Sequence, residues 1–213
     1  MTQKELAAAV GTYAVSKIYP LQSSYLGNGA SCASARATLA RLRRLNVADG
    51  NSLMAVGEQL FAGWPEDDLG SPERCPKAFE AVCSTLSLYA LHQQSKDKPM
   101  ALTPEAKKGM HTSGSRMQGS LGSACRLLKP NLEEAKGIQR RLSTVEAARD
   151  FDSLYRRVRA LVQLLKAGGI PLDYWQLARD LYLVQFRYER DAVMRRWAQD
   201  YYCSTPENSK ETS

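Results

Sequence analysis

Apolar residues return every three or four positions along almost the whole chain, and no run of alternating β-branched residues bounded by turns interrupts them. The pattern predicts an all-α fold. It is clearest over 151–167, where Phe151, Leu154, Tyr155, Val158, Leu161, Val162 and Leu165 trace a buried stripe and Arg156, Arg157, Arg159 and Lys166 fall largely off it. Phe79, Val82, Cys83, Leu86, Tyr89 and Ala90 draw a second core stripe on a helix over about 76–95, with Pro76 suited to its first turn.

Breaking residues place the remaining helices. A first helix over roughly 2–19 is expected to end at Tyr19-Pro20, since an interior proline removes a hydrogen bond and crowds the preceding turn. Gly27-Asn28-Gly29 precedes Ser31, the expected N-cap of a helix reaching Leu45, and Asp49-Gly50-Asn51 is the next break. A short helix over 52–61 stops at Gly63-Trp64-Pro65, and Glu66 to Pro76 reads as an acidic connector. The second half predicts helices over about 120–128, 131–142, 151–167, 172–187 and 189–203, with Gly168-Gly169 closing the third and Leu172 or Asp173 opening the fourth after Pro171. Between the halves, Lys96, Lys98, Lys107, Lys108, His111 and Arg116 mix with prolines, glycines and serines. The expectation is one helical bundle over 1–203 in two closely packed lobes, about 1–95 and 117–203, joined by a mobile basic loop over 96–116. Residues 204–213 read as a disordered polar tail.

Composition narrows the setting. No apolar run approaches membrane-spanning length, the N-terminus lacks the pattern of a secretory signal, and five cysteines at irregular spacing make no disulfide framework. A cytoplasmic protein with reduced thiols and no membrane partner is expected. The net charge of +7 comes mostly from arginine, whose planar guanidinium forks onto phosphate oxygens where lysine acts as a hydrated point charge. A solvated basic surface would give the same total, so distribution decides.

Three places concentrate the charge. On the helix carrying Arg36, Arg41, Arg43 and Arg44, Leu39, Leu42 and Leu45 form the inward side, while Arg36 and Arg43 lie on one line with Ala40 between them. No acidic residue lies between Arg36 and Arg44 to pair with them, which favours a polyanion over a solvated face. The segment His111-Thr112-Ser113-Gly114-Ser115-Arg116 can present backbone N–H groups and an arginine to an anion, although it lacks the Gly-Lys-Ser/Thr of a nucleotide-binding loop. Arg140 and Arg141 are expected at the C-terminal end of a helix begun by Glu133 and Glu134, where the helix dipole accounts for part of the charge.

Catalytic readings find little support. His92 and His111 are the only histidines and belong to no catalytic constellation; His92 reads as a core or helix-end residue. No Cys-x-x-Cys pair suggests a metal, Glu66-Asp67-Asp68 reads as a solubilising connector, and the three tryptophans read as packing anchors. Neither enzyme activity nor a cofactor is expected.

In order along the chain stand Arg36-x-x-Leu39-Ala40-x-Leu42-Arg43-Arg44, Leu88-Tyr89-Ala90-Leu91-His92-Gln93, Ser120-Leu121-Gly122-x-Ala124 and Arg140-Arg141-Leu142. They are followed by Gly169-Ile170-Pro171-Leu172-Asp173-Tyr174-x-x-Leu177-Ala178-x-Asp180-Leu181 and Val193-x-x-Arg196-Trp197-x-x-Asp200-Tyr201-Tyr202. This series resembles the CasB family, the small subunit of the type I-E CRISPR surveillance complex Cascade, over about residues 30–203. The resemblance implies a helical, non-catalytic antiviral-defence subunit. Its implied partners are the backbone and large Cascade subunits, a second copy of itself, the CRISPR RNA, target DNA and displaced non-target DNA. The implied task is sequence-blind binding that holds the displaced strand and steadies the RNA–DNA hybrid. The candidate binding set is Arg36, Arg43, Arg44, Arg116, Arg126, Arg140 and Arg141. The competing class is a helical protein–protein scaffold whose basic faces meet acidic partners. A sequence-specific helix-turn-helix regulator is disfavoured, because no helix offers base-reading side chains near its start after a short turn.

Overall fold

The computed structural model describes residues 2–45, 53–109, 119–129 and 131–203. Among them the chain forms α1 (Gln3–Leu26), α2 (Ala30–Leu42), α3 (Leu53–Phe61), α4 (Glu66–Leu69), α5 (Pro76–Gln93), α6 (Pro104–Gly109), α7 (Leu121–Leu128), α8 (Lys136–Glu146), α9 (Phe151–Gly168), α10 (Tyr174–Leu183) and α11 (Arg187–Cys203). No strand forms among the described residues, and one isolated parallel bridge joins Ala101 to Leu172. The expected all-α class holds.

The long α1 packs on α10 and α5, α5 also packs on α9 and α10, and α11 packs on α7. Apolar residues from all these helices form one continuous buried cluster. Helices assigned from sequence to different lobes therefore share a single core, and α5 is its centre: every residue from Ala81 to Gln93 is buried.

The expected stop at Pro20 does not occur. Helix α1 continues to Leu26 because the stretch beyond the proline is tied down by side chains at three-residue intervals. Tyr19 donates from its hydroxyl to the carbonyl of Leu102 at 3.1 Å, Gln22 both donates to and accepts from the backbone of Ala101 at 3.0 and 2.8 Å, and the Tyr25 hydroxyl accepts from the Ser95 N–H at 3.0 Å. Those bonds offset a proline penalty of about 3 kcal/mol. They also correct the expectation of a mobile loop from residue 96. Met100, Ala101 and Leu102 are buried, with the Leu172 N–H donating to Met100 and the Leu102 N–H to Leu172. The acidic connector likewise contains the short α4, held by the Trp64 indole donating to the Gly70 carbonyl at 2.7 Å. The 110–118 part of the predicted loop, the Asp49-Gly50-Asn51 break and the tail from 204 lie outside the described residues.

Other boundaries shift by a few residues. Helix α2 starts after Gly29 without a side-chain cap, Ser31 lies inside it, and Arg43 sits at its C-cap. Helix α8 begins five residues later than expected because Asn131 folds its side chain onto the Glu133 N–H at 3.0 Å and makes a turn of 131–135. Helix α10 ends at Leu183, and a short turn leads into α11.

The segment 168–174 joins α9 to α10 through a series of specific contacts. Gly169 adopts the left-handed conformation that closes α9, while the Ile170 N–H reaches back to the Leu165 carbonyl. Leu172 then makes the bridge, Asp173 caps α10 through the Gln176 N–H, and Tyr174 buries its ring against Tyr89. Downstream, the buried Asp180 receives the Trp197 indole N–H at 2.7 Å and the Arg196 guanidinium, which ties α10 to α11. Desolvation pushes the Asp180 carboxyl up to about 6, against the pull of Arg196 and Trp197.

Gly122 marks the closest contact between α7 and α11. A Cβ there would stand 2.1 Å from the Trp197 carbonyl oxygen and 2.9 Å from its carbon, both backbone atoms that cannot swing away. Gly122→Ala is therefore expected to destabilise the fold by at least ~3 kcal/mol, the upper part of the overpacking range. Urea denaturation of both proteins measures this; an unchanged midpoint would show that the helices can separate freely at this point.

Candidate nucleic-acid interface

The α2 face is where expectation and structure meet. Arg36 is exposed, with its guanidinium 5.9 Å from the centroid of the Tyr25 ring. The Tyr25 hydroxyl accepts the Ser95 N–H, so the same tyrosine links Arg36 to the turn that presents Lys96. Arg43 at the C-cap of α2 lies near Lys166 on the last turns of α9, and Lys96 approaches Lys166 from the end of α5. The Lys166 pKa is lowered from its ordinary value by desolvation first, then by Arg43 and Lys96. The Lys166 ammonium donates to Gln94 Oε1 at 3.0 Å, while Lys98 folds its side chain against Gly169.

The C-terminal ends of α2, α5 and α9 thus converge and carry Arg43, Lys96, Lys98 and Lys166 to one corner, with Arg36 beside it. Helix dipoles favour cations at such ends by ~0.3–1 kcal/mol each, but cations placed near one another repel. Among the described residues the ion pairs are Lys107–Asp173, Arg156–Asp152 and Arg196–Asp180, none of which uses Arg36, Arg43, Lys96 or Lys166. Sequence reasoning did not join Lys96 and Lys166 because one follows α5 and the other lies on α9; only the parallel packing of these helices brings them together.

The other candidates are placed differently. Arg140 and Arg141 are exposed in the middle of α8, which runs on to Glu146. The dipole explanation for them falls away, because Glu133 and Glu134 stand before the helix and the arginines are not at its end. Arg157 of α9 donates to the Thr144 carbonyl and brings a further cation beside this face. Arg44 is exposed at the end of α2. Arg126 is buried, only 8% exposed, and donates to the Lys129 carbonyl at 3.1 Å. It packs near Tyr201, so its part is internal and no phosphate can reach it across the surface. Arg116 and His111 lie outside the described residues.

His92 is a core residue. It is fully buried, its Nδ1 stands 3.0 Å from the Tyr174 hydroxyl, and desolvation lowers its pKa to about 4. Burial pushes the Cys125 thiol up to about 12 and the Cys83 thiol higher still, so both are held as neutral core groups. Among the described residues no group of acidic, histidine and cysteine side chains is arranged to hold a metal ion, and no helix is long and apolar enough to cross a membrane.

Fold and composition together define a basic chain that is helical throughout its described elements. A profile of the CRISPR-associated protein Cse2 family matches residues 38–202, and the chain belongs to that family, the CasB family of type I-E Cascade. It is accordingly a Cascade subunit of CRISPR defence. The crystal structure of CasB from Thermobifida fusca superposes with a TM-score of 0.70 at 28% sequence identity, covering 91% of this chain and 98% of that one. No curated protein matches the chain in a sequence comparison.

The depressed His92 value has a sign that can be tested. An unfolded chain takes up a proton at the ordinary value of 6.5, whereas the folded chain refuses it until about 4. The stability this group contributes is complete above pH 6.5 and is lost as pH falls toward 4. Asp180, with its raised carboxyl, acts in the opposite sense, so the two must be separated by comparison with His92→Gln. Between pH 7 and pH 5 the wild type should lose ~2 kcal/mol more than the variant. Urea denaturation at both pH values checks this, and parallel losses would show that His92 is protonated in the folded chain.

Proposed function

We propose that this Cascade subunit is non-catalytic and binds nucleic-acid backbone without reading sequence, through the corner formed by Arg36, Arg43, Lys96 and Lys166 with Arg44 at its edge. Within the complex this corner would hold the displaced non-target strand and steady the CRISPR RNA–target hybrid, with the exposed Arg140–Arg141 face as a second basic surface. The observation that carries the reading is the convergence of cations from three helix ends without an ion-pairing carboxylate among the described residues for Arg36, Arg43, Lys96 or Lys166. Sequence-blind binding follows physically. Phosphate neutralisation releases counterions from any sequence alike, and the corner presents no element shaped to enter a groove and read base edges.

Replacing Arg36, Arg43 and Lys166 together by alanine should weaken binding to unrelated single-stranded sequences equally. It should also reduce the slope of log affinity against log salt by up to ~0.7 for each lost contact. Fluorescence anisotropy across a salt series, with the free chain and with the assembled complex, measures both quantities. An unchanged slope would reject the corner. Undiminished nucleic-acid binding combined with loss of the subunit from the complex would instead favour a scaffold whose basic faces meet acidic protein partners.

A further inference from the structure

We propose that a second contact for single-stranded nucleic acid lies at the opposite end of the α5/α9 pair, in a cleft presenting Lys77, Arg149 and Arg187 beside the exposed ring of Tyr188. The cleft has a volume of about 610 Å³ and is lined where α5, α9 and α11 begin and α10 ends. It presupposes the backbone-binding reading and extends it to a separate place on the molecule.

Two cations of the cleft, Lys77 and Arg190, are held by the fold. Lys77 donates to the Gln185 carbonyl at 3.1 Å and stands 4.1 Å from the Phe186 ring centroid. Arg190 donates to the carbonyls of Ala148 at 2.5 Å and Glu146 at 3.2 Å, which fixes the turn carrying Arg149 against the start of α11. Arg149 and Arg187 are exposed. Two carboxylates also line the cleft: Asp150 is engaged as the cap of α9 through the Ser153 N–H, and Glu80 is half-buried behind Lys77. Lys77, Arg149, Arg187 and Arg190 exceed them, so the balance favours an anion.

Tyr188 indicates what kind of anion. It is 93% exposed at the start of α11, next to Arg187, and contributes nothing to the core. An aromatic ring beside cations suits a base stacked next to its own phosphate, the combination that binds single strands irrespective of sequence. A bare acidic peptide would have no use for the ring.

The two ends are connected. Helix α5 has 18 residues and so spans about 27 Å. Along α9, Arg156, Arg159, Gln163 and Lys166 fall within about 40° of one line, on the side away from the buried stripe. A strand could therefore run from the Lys166 corner past Arg159 and Arg156 to the cleft. Arg156 is the weakest step, since Asp152 pairs with it. At ~3.4 Å per phosphate in a stacked strand, about eight nucleotides bridge the distance.

Full-length chain and labelled oligothymidylates shorter and longer than about eight nucleotides supply the test, read by fluorescence anisotropy. For the wild type, affinity should rise at least ~tenfold once one strand can reach both ends, because the second contact becomes intramolecular. Arg149→Ala, Arg187→Ala and Tyr188→Ala together should remove that rise and lower the salt slope on long strands by ~1.4, that is ~0.7 for each arginine. All three side chains are exposed, and a matching thermal melt confirms that the variant is folded. A rise and slope unchanged in this variant would overturn the cleft, as would normal oligonucleotide binding with loss of the subunit from the complex, which would assign the cleft to a protein partner. A separate Arg43→Ala, Lys166→Ala variant distinguishes the two readings: if it leaves binding intact while the cleft variant abolishes it, the cleft stands and the corner fails.

Discussion

Everything else in the molecule depends on the clasp that residues 100–102 make between the first helix and the last third of the chain. On one side Gln22, buried within α1, satisfies both its amide groups on the backbone of Ala101. On the other, Leu172 exchanges hydrogen bonds with Met100 and Leu102. The next residue, Asp173, accepts from the Gln176 N–H, pairs with Lys107 at 2.5 Å and donates its own N–H to the Gly119 carbonyl at 2.7 Å. Buried backbone groups left unpaired cost ~1–3 kcal/mol each, so the clasp has little freedom to slide. By fixing where α9 stops and α10 starts, it fixes the position of α10 between α1 and α5.

That geometry also fixes the distribution of charge. Helices α5 and α9 run in the same direction, as Tyr155 bonding Ser87 and Lys166 bonding Gln94 show. Parallel neighbours bring like ends together. The C-terminal ends gather Lys96 and Lys166 beside Arg43, and the N-terminal ends gather Lys77 and Arg149 in the cleft. A chain of net charge +7 could have dispersed its cations over the surface and reduced their repulsion. Instead the packing holds several of them close, at both ends of the α5/α9 pair.

Much of the fold was legible in the sequence because its core stripes are strongly periodic. The stripe from Phe151 to Leu165 and the one from Phe79 to Ala90 both correspond to long helices at nearly the expected residues. Pro20 misled because local propensity at that point is overridden by Tyr19, Gln22 and Tyr25, whose partners lie some 70 to 83 residues away. Similarly, a lysine-rich stretch with prolines looked like an open loop, although Met100, Ala101 and Leu102 within it are buried. The proposed binding surface was legible only in part. Arg36 and Arg43 could be placed together by helical periodicity, whereas Lys96 and Lys166 required knowing that α5 and α9 are parallel. Arg126 is the opposite case: a charged residue whose burial beneath α11 no local pattern announces.

The residues that lock the helices together and those that carry the surface charge answer to different physical demands. Gly122 against the Trp197 backbone, Asp180 between Arg196 and Trp197, and Asp173 at the head of α10 each have one geometry that works. Substitution there leaves a clash or a buried unpaired group. Backbone neutralisation is far less exacting, because its strength follows the number of phosphates contacted and not the identity of any one cation. A lysine on α9 can replace an arginine on α2, provided the helix ends still meet. The chain shares 28% identity with the Thermobifida fusca protein and keeps its architecture over nearly the whole length. For such a chain the fold is specified residue by residue, while the charge of its surface is specified by how many cations the fold brings to the same edge.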